Sequence, residues 1–266
     1  MLVGQKTFIP VLGQRQDFRK LKLLAKENAD FNPHKGYISS LEFFGKSSNE
    51  KEVIAELVSR EILPGLKKRR TMLDIGTGNG RLAKEIGRHF RRVTTIDSHQ
   101  QKWALLWRFE HIRDTFPSDE LNDRQFDFVL GSHVLYYFNS ALWPNVAMDA
   151  VAKLEKGGKA VFIINEDGGD AALMINKFGG RVCSADDFAE KCATLSEKTI
   201  LTYEFDTKIH SLNHDDMMRN AMFLLFDILH NVDITQLDRY VEKNFLKKDG
   251  TYEMKNVQKA VVLDCA

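Results

Sequence analysis

The apolar residues Val53, Ile54, Leu57, Val58 and Ile62 recur at helical spacing until Pro64 and Gly65 break the pattern. Everything before them is mixed and turn-rich, as in "ENADFNPHKGYISS". From Thr71 to about Asn165 the pattern changes: short β-rich runs ("TMLDIG", "RVTTID", a weaker one near "HIRDTF", "FDFVLGS" and "KAVFIIN") alternate with helical stretches starting at Arg81, His99 and Ala141. This alternation predicts a mostly parallel sheet covered on both faces. The last region opens on "SADDFAEKCATL", where Ser184 and Asp187 resemble a capping box and Phe188, Ala189 and Cys192 share one helical face. Helices near 214–230 and 234–245 and a final strand, "KAVVLDC", complete the reading, with no internal repeat and no low-complexity segment.

Composition narrows the classes. A chain of 266 residues with 43% hydrophobic content has enough material for one large core. Its 38 basic and 37 acidic side chains nearly cancel, so it lacks the excess of cations that unspecific phosphate binding uses, and no nucleic-acid partner is expected. The run "KKRR" at 67–70 carries no interleaved aromatics and reads as a solvated turn. Three cysteines, Cys183, Cys192 and Cys265, without C-x-x-C spacing, point to reduced thiols rather than a disulfide framework or a structural metal, so no metal is expected. A lysine interrupts the apolar start "MLVGQKTFIPVLGQRQ", and no segment approaches the ~20 apolar residues of a membrane span, so a soluble, unexported, cytoplasmic protein is expected.

The chemistry is concentrated in "TMLDIGTGNGRLAKEI". Glycines between a strand and a helix let the backbone approach a ligand closely, and the helix start offers free amides. A dinucleotide fingerprint needs its third glycine where Arg81 stands, and a phosphate loop needs a Gly-Lys-Ser or Gly-Lys-Thr that is missing. What remains is D-x-G-x-G-x-G, built on Asp74, Gly76, Gly78 and Gly80. A second acid, Asp97, ends the next apolar run, where a carboxylate accepts both hydroxyls of a ribose. The competing readings are a tight turn without a ligand and, for Asp97, a cap on the helix that starts near His99.

This constellation resembles the first motif of the class I S-adenosylmethionine-dependent methyltransferases. The resemblance implies an α/β fold: a doubly wound, mostly parallel, seven-stranded sheet of Rossmann-like type with its last strand antiparallel. It also implies an N-terminal helical lid over 1–66, a methyltransferase domain over 67–266 and a late helical insertion at about 207–250. The implied cofactor is S-adenosyl-L-methionine, released as S-adenosyl-L-homocysteine. Its implied contacts are Asp74, Gly76, Thr77, Gly78, Gly80, Asp97, Ser98, Asp114, Gly131 and Ser132.

In such enzymes the strand matching Phe126–Leu130 ends beside the methyl donor. Those that methylate adenine or glutamine amides carry a polar residue, two prolines and an aromatic there; this chain carries Gly131, Ser132, His133 and Val134 instead. The segments "YISSLEFFGKSSNEKEVIAELVSREILPGL", "HVLYYF", "FLLFDIL" and "NVQKAVVLDCA" are similar to the histamine N-methyltransferase family. That similarity implies an acceptor pocket of Tyr37, Asn49, His133, Tyr136, Tyr137 and Asn256. Two departures matter: His133 stands where the family has glutamine, and the family's amine-binding glutamate falls on Asn49, with Glu50 one position off.

The expected reaction is methyl transfer to a small molecule, at an amine or imidazole-type nitrogen, with His133 as the candidate base. Other readings remain open. His133 could satisfy a backbone group, Tyr136 and Tyr137 could pack beneath the next helix, and Trp103 and Trp107 could be core residues or flank adenine. An O-methyltransferase, an RNA or protein methyltransferase and a non-catalytic cofactor-binding partner are the alternatives to the main function.

Overall fold

A computed structural model of the chain describes residues 37–98, 108–182, 184–195 and 200–264. The expectations placed on residues 1–36, on the helix from His99 with Trp103 and Trp107, and on Cys183 and Cys265 lie outside the described residues, as does the side chain of Tyr37.

Seven strands form one sheet: β1 (Thr71–Ile75), β2 (Arg92–Ile96), β3 (Phe109–Ile112), β4 (Phe126–Ser132), β5 (Leu154–Asn165), β6 (Ile200–Ser211) and β7 (Tyr252–Asp264). Their spatial order is β3-β2-β1-β4-β5-β7-β6. The pairs among β1 to β5 are parallel, and β7 alone runs against both of its neighbours. This is the doubly wound sheet the alternating pattern predicted.

Strand periodicity divides the core into two layers. In β1, Leu73 and Ile75 face one side, where α4 (Trp143–Ala152) and α6 (Ala185–Leu195) pack through Val146, Ala147, Phe188 and Cys192. Met72 faces the other, where α2 (Glu50–Leu57) and α3 (Arg81–Gly87) contribute Ile54, Leu82 and Ile86. Cys192 is fully buried, as its position on the apolar face predicted. Residues 67–70 are exposed. Asp127 lashes the start of β1 to β4: its carboxylate accepts the amides of Arg70 and Thr71 at 2.6 and 3.1 Å.

A third apolar cluster joins α1 (Tyr37–Ser47), α5 (Gly169–Lys177), α7 (His214–Leu224) and α8 (Ile234–Phe245) at one end of the sheet. In α8, Leu237, Val241 and Phe245 form the buried stripe, and Asp233 caps the helix by accepting the amides of Thr235 and Gln236. The helix expected near 214–230 stops at Leu224 and continues as a 3-10 segment over Phe226–Asn231. Three elements went unread in the sequence among the described residues: α5, the edge strand β6, and α1, which makes a helix of Tyr37–Ser47 where the pattern read as mixed and turn-rich. The apolar pattern also missed the beginnings of β5 and β7, which start at Leu154 and Tyr252. Among the described residues no helix is long and apolar enough to cross a membrane.

Candidate active site

The strand order reverses between β1 and β4, so the crevice beyond their C-terminal ends is where an open α/β sheet receives a ligand. The D-x-G-x-G-x-G loop occupies that position. Gly76, Gly78 and Gly80 all have positive φ (68°, 54° and 70°), which an L side chain adopts only with strain. Their surroundings differ. A Cβ on Gly76 would lie 2.4 Å from Val134, so this glycine lets the loop close against the turn after β4. A Cβ on Gly78 would meet nothing within 4 Å, so its backbone faces open space where a ligand can approach.

The two acids bracket this loop. Asp97, just past β2, accepts the Gly78 amide on its Oδ2 at 2.9 Å, so the loop and the second strand end form one unit. Asp74 is buried on β1, and burial pushes its carboxyl up to about 7; the Asp97 charge acts in the same sense, and Thr77 and Lys51 partly offset it. Ser98 is exposed beside Asp97. Asp114 uses its oxygens in a local turn, accepting the Thr115 amide at 2.8 Å and the Ser118 hydroxyl at 2.7 Å. On the other wall, Gly131 packs so closely under Phe162 that a Cβ would lie 2.7 Å from its ring. The Ser132 hydroxyl is buried and finds no hydrogen-bond partner among the described residues.

Beyond Ser132 the site changes character. His133 has φ 53°, the one positive value at a non-glycine among the described residues, a strain on the order of 1–3 kcal/mol. Its Nε2 lies 3.3 Å from Glu50 Oε2 and its Nδ1 lies 3.4 Å from the Tyr136 hydroxyl. The Tyr136 oxygen in turn accepts the Asn165 amide at 2.6 Å. Asn165 Oδ1 accepts from the Asn256 side chain at 3.1 Å, which links the C-terminal strand to the same group. Tyr136 and Tyr137 are 40% and 36% exposed on their 3-10 turn, and the Tyr136 ring meets Trp143, at the start of α4, edge-on at 5.8 Å between centroids.

Glu50 closes the cluster from the first turn of α2. It is buried, accepts the Gln258 side chain at 2.9 Å and lies 2.9 Å from Lys51 Nζ. Burial alone would raise its carboxyl, but the charges and hydrogen bonds of His133 and Lys51 hold it well below the usual carboxylate range. Asn49 points elsewhere: its Oδ1 accepts the Lys208 amide at 2.7 Å and ties α2 to β6. The carboxylate facing His133 is therefore Glu50.

Sequence reasoning missed Gln258, Asn165 and Lys51, and met Glu50 only as a neighbour of Asn49. A signal existed for Gln258. Together with Asn256 it places two amides at i and i+2 on the strand face that also carries Tyr252, Met254, Ala260 and Val262, and buried polar groups require partners.

The family comparison accords with this geometry. A family model described as a methyltransferase domain matches residues 47–201, from the end of α1 to the start of β6. The chain belongs to the methyltransferase domain family. The enzyme class and the S-adenosylmethionine cofactor implied by the glycine loop stand with it.

Solved structures agree on the fold of this methyltransferase. The plantazolicin methyltransferase BpumL, solved with S-adenosylhomocysteine, superposes with a TM-score of 0.56 at 12% identity, over 95% of this chain and 99% of that one. The YcgJ protein of Bacillus subtilis gives 0.53 at 11% identity over 80% and 97%. No curated protein is significantly similar in sequence.

Proposed function

We propose that this methyltransferase transfers a methyl group to a small molecule at an amine or imidazole-type nitrogen. The observation that carries the reading is the buried Glu50 carboxylate beside the imidazole of His133, on the strand end next to the cofactor crevice. A carboxylate held ionised attracts a cationic amine, and an imidazole is suited to take its proton. The resemblance of four sequence segments to the histamine N-methyltransferase family suggests the same class of acceptor, with Glu50 rather than Asn49 as the acid on the pocket wall.

S-adenosylmethionine supplies an activated methyl group on a sulfonium. In this reading Asp97 takes the ribose, Gly76, Thr77, Gly78 and Gly80 line the loop, and Asp74 lies toward the amino acid end. Ser98, Asp114, Gly131 and Ser132 are the remaining candidate contacts. The buried, unpartnered Ser132 hydroxyl and the open backbone at Gly78 fit a polar ligand spanning the crevice. In the same reading the acceptor pocket comprises His133, Tyr136, Tyr137 and Asn256, with Glu50 in the place first expected for Asn49.

The protein's task is to align the acceptor lone pair and exclude water, and positioning alone is worth roughly 7–11 kcal/mol. A mass-spectrometric screen of amines, imidazoles and phenols with S-adenosylmethionine tests the proposal. Methylated amines or imidazoles are expected; methylation confined to phenols would replace the nitrogen assignment with an oxygen one.

A further inference from the structure

The polar contacts around His133 run in one direction. The Asn165 backbone amide donates to the Tyr136 oxygen at 2.6 Å, which occupies that oxygen as an acceptor and favours the phenol proton as the donor in its 3.4 Å contact with His133 Nδ1. On the far side of the ring, the buried Nε2 lies 3.3 Å from the carboxylate Oε2 of Glu50, a charge contact that lacks hydrogen-bond alignment in the unliganded protein, and a carboxylate can only accept. Both contacts favour one tautomer, with the proton on Nε2 and the lone pair on Nδ1. His133 is held there by a left-handed backbone and by its own amide, which donates to the Ile163 carbonyl at 3.0 Å. Glu50 is itself braced by Gln258 and Lys51. Tyr136, 40% exposed, is the member of this network most open to an incoming acceptor.

We propose that Tyr136 is the proton-transferring residue of this methyltransferase, and that Glu50 is a positioning residue that fixes His133 as the base behind it. The inference rests on the nitrogen-acceptor reading. An N–H bond of the incoming ammonium breaks, and its electron pair stays on nitrogen as the lone pair that will be methylated. The proton goes to the Tyr136 oxygen as that hydroxyl gives its own proton to His133 Nδ1. The resulting imidazolium lies against the Glu50 carboxylate until it releases the proton to solvent. Tyr136 is neutral before and after, and the charge gained by His133 equals the charge lost by the acceptor.

Nitrogen-resolved NMR of the unliganded protein tests the arrangement without turnover. The wild type should show His133 protonated on Nε2, with an N–H whose solvent exchange is slowed. Tyr136→Phe should keep both features. Glu50→Gln retains a partner for Gln258, so it should keep its fold by circular dichroism, yet speed that exchange by 10-fold or more. In turnover, Tyr136→Phe should lower kcat on the order of 10²-fold with little change in KM. A proton on Nδ1, unaltered exchange in Glu50→Gln, or wild-type kcat in Tyr136→Phe would each overturn the proposal. A wild type with this tautomer that methylates phenols but no amine would instead defeat the nitrogen-acceptor reading.

Discussion

The two halves of the site, to which we assign the cofactor and the acceptor, are built by different means. On the cofactor side a contiguous loop does the work with backbone, three left-handed glycines between β1 and α3, and the acid that locks it is 19 residues away in sequence. On the acceptor side the working groups are side chains from distant elements: Glu50 on α2, His133 after β4, and Gln258 on β7, 208 residues from the glutamate it supports. A local backbone cradle specifies a cofactor shared by many relatives. A distributed side-chain cluster is free to change with the acceptor. Perturbing the two halves should therefore separate binding from chemistry.

The sharpest break lies at His133. His133→Asn keeps a residue tolerant of left-handed backbone but removes the ring, so kcat should fall about 10²–10⁴-fold while cofactor affinity in calorimetry holds. The converse is Asp97→Ala. Losing the proposed ribose contacts together with the anchor on the Gly78 amide should weaken S-adenosylmethionine binding by about 10²-fold. Acceptor binding should change little, and equal losses of both ligands would contradict the separation.

Asp74 sharpens the comparison through pH. Its folded value, about 7, lies above its ordinary 3.8, so the native state binds a proton that the unfolded chain releases. The stability this contributes is full below about pH 4 and is lost as pH rises through 7. Unliganded Asp74→Asn should therefore melt higher than the wild type at pH 8, by up to about 4 kcal/mol, and nearly alike at pH 4. A cationic ligand favours the ionised acid, so in the wild type cofactor affinity should rise with pH through 7. In the asparagine variant it should be weaker and flat.

Glu50 should give the smallest effect and one of opposite sense. Its folded value is depressed, so its stabilisation is present at neutral pH and lost only as pH falls below the ordinary carboxylate range. Acid melts of the wild type and Glu50→Gln should converge at low pH.

The contrast also explains what the sequence revealed. Alternating β and helical runs made β1, β2 and β4 legible because each is an apolar run closed by a loop. The glycine loop was legible because its chemistry lies in consecutive residues. β6 was not, because it is an edge strand whose residues are largely exposed from Leu201 to Asp206 and carry no apolar run. The start of β5 was hidden by Glu155, Lys156 and Gly157, where the pairing with β4 shifts register. Glu50 was obscured because an acid in the first turn of a helix already has an ordinary explanation in the helix dipole, and only the packing of α2 against β4 and β7 gives it a second role.

The central claim, a cofactor crevice at β1 and β4 opening onto a Glu50–His133–Tyr136 wall, is tested most directly by a crystal structure with S-adenosylhomocysteine. The account predicts the ribose on Asp97, the chain of the ligand along Gly76–Gly80 and its sulfur facing the Ser132–His133 end of β4. A ligand bound away from that crevice, or one whose sulfur points away from His133, would contradict it.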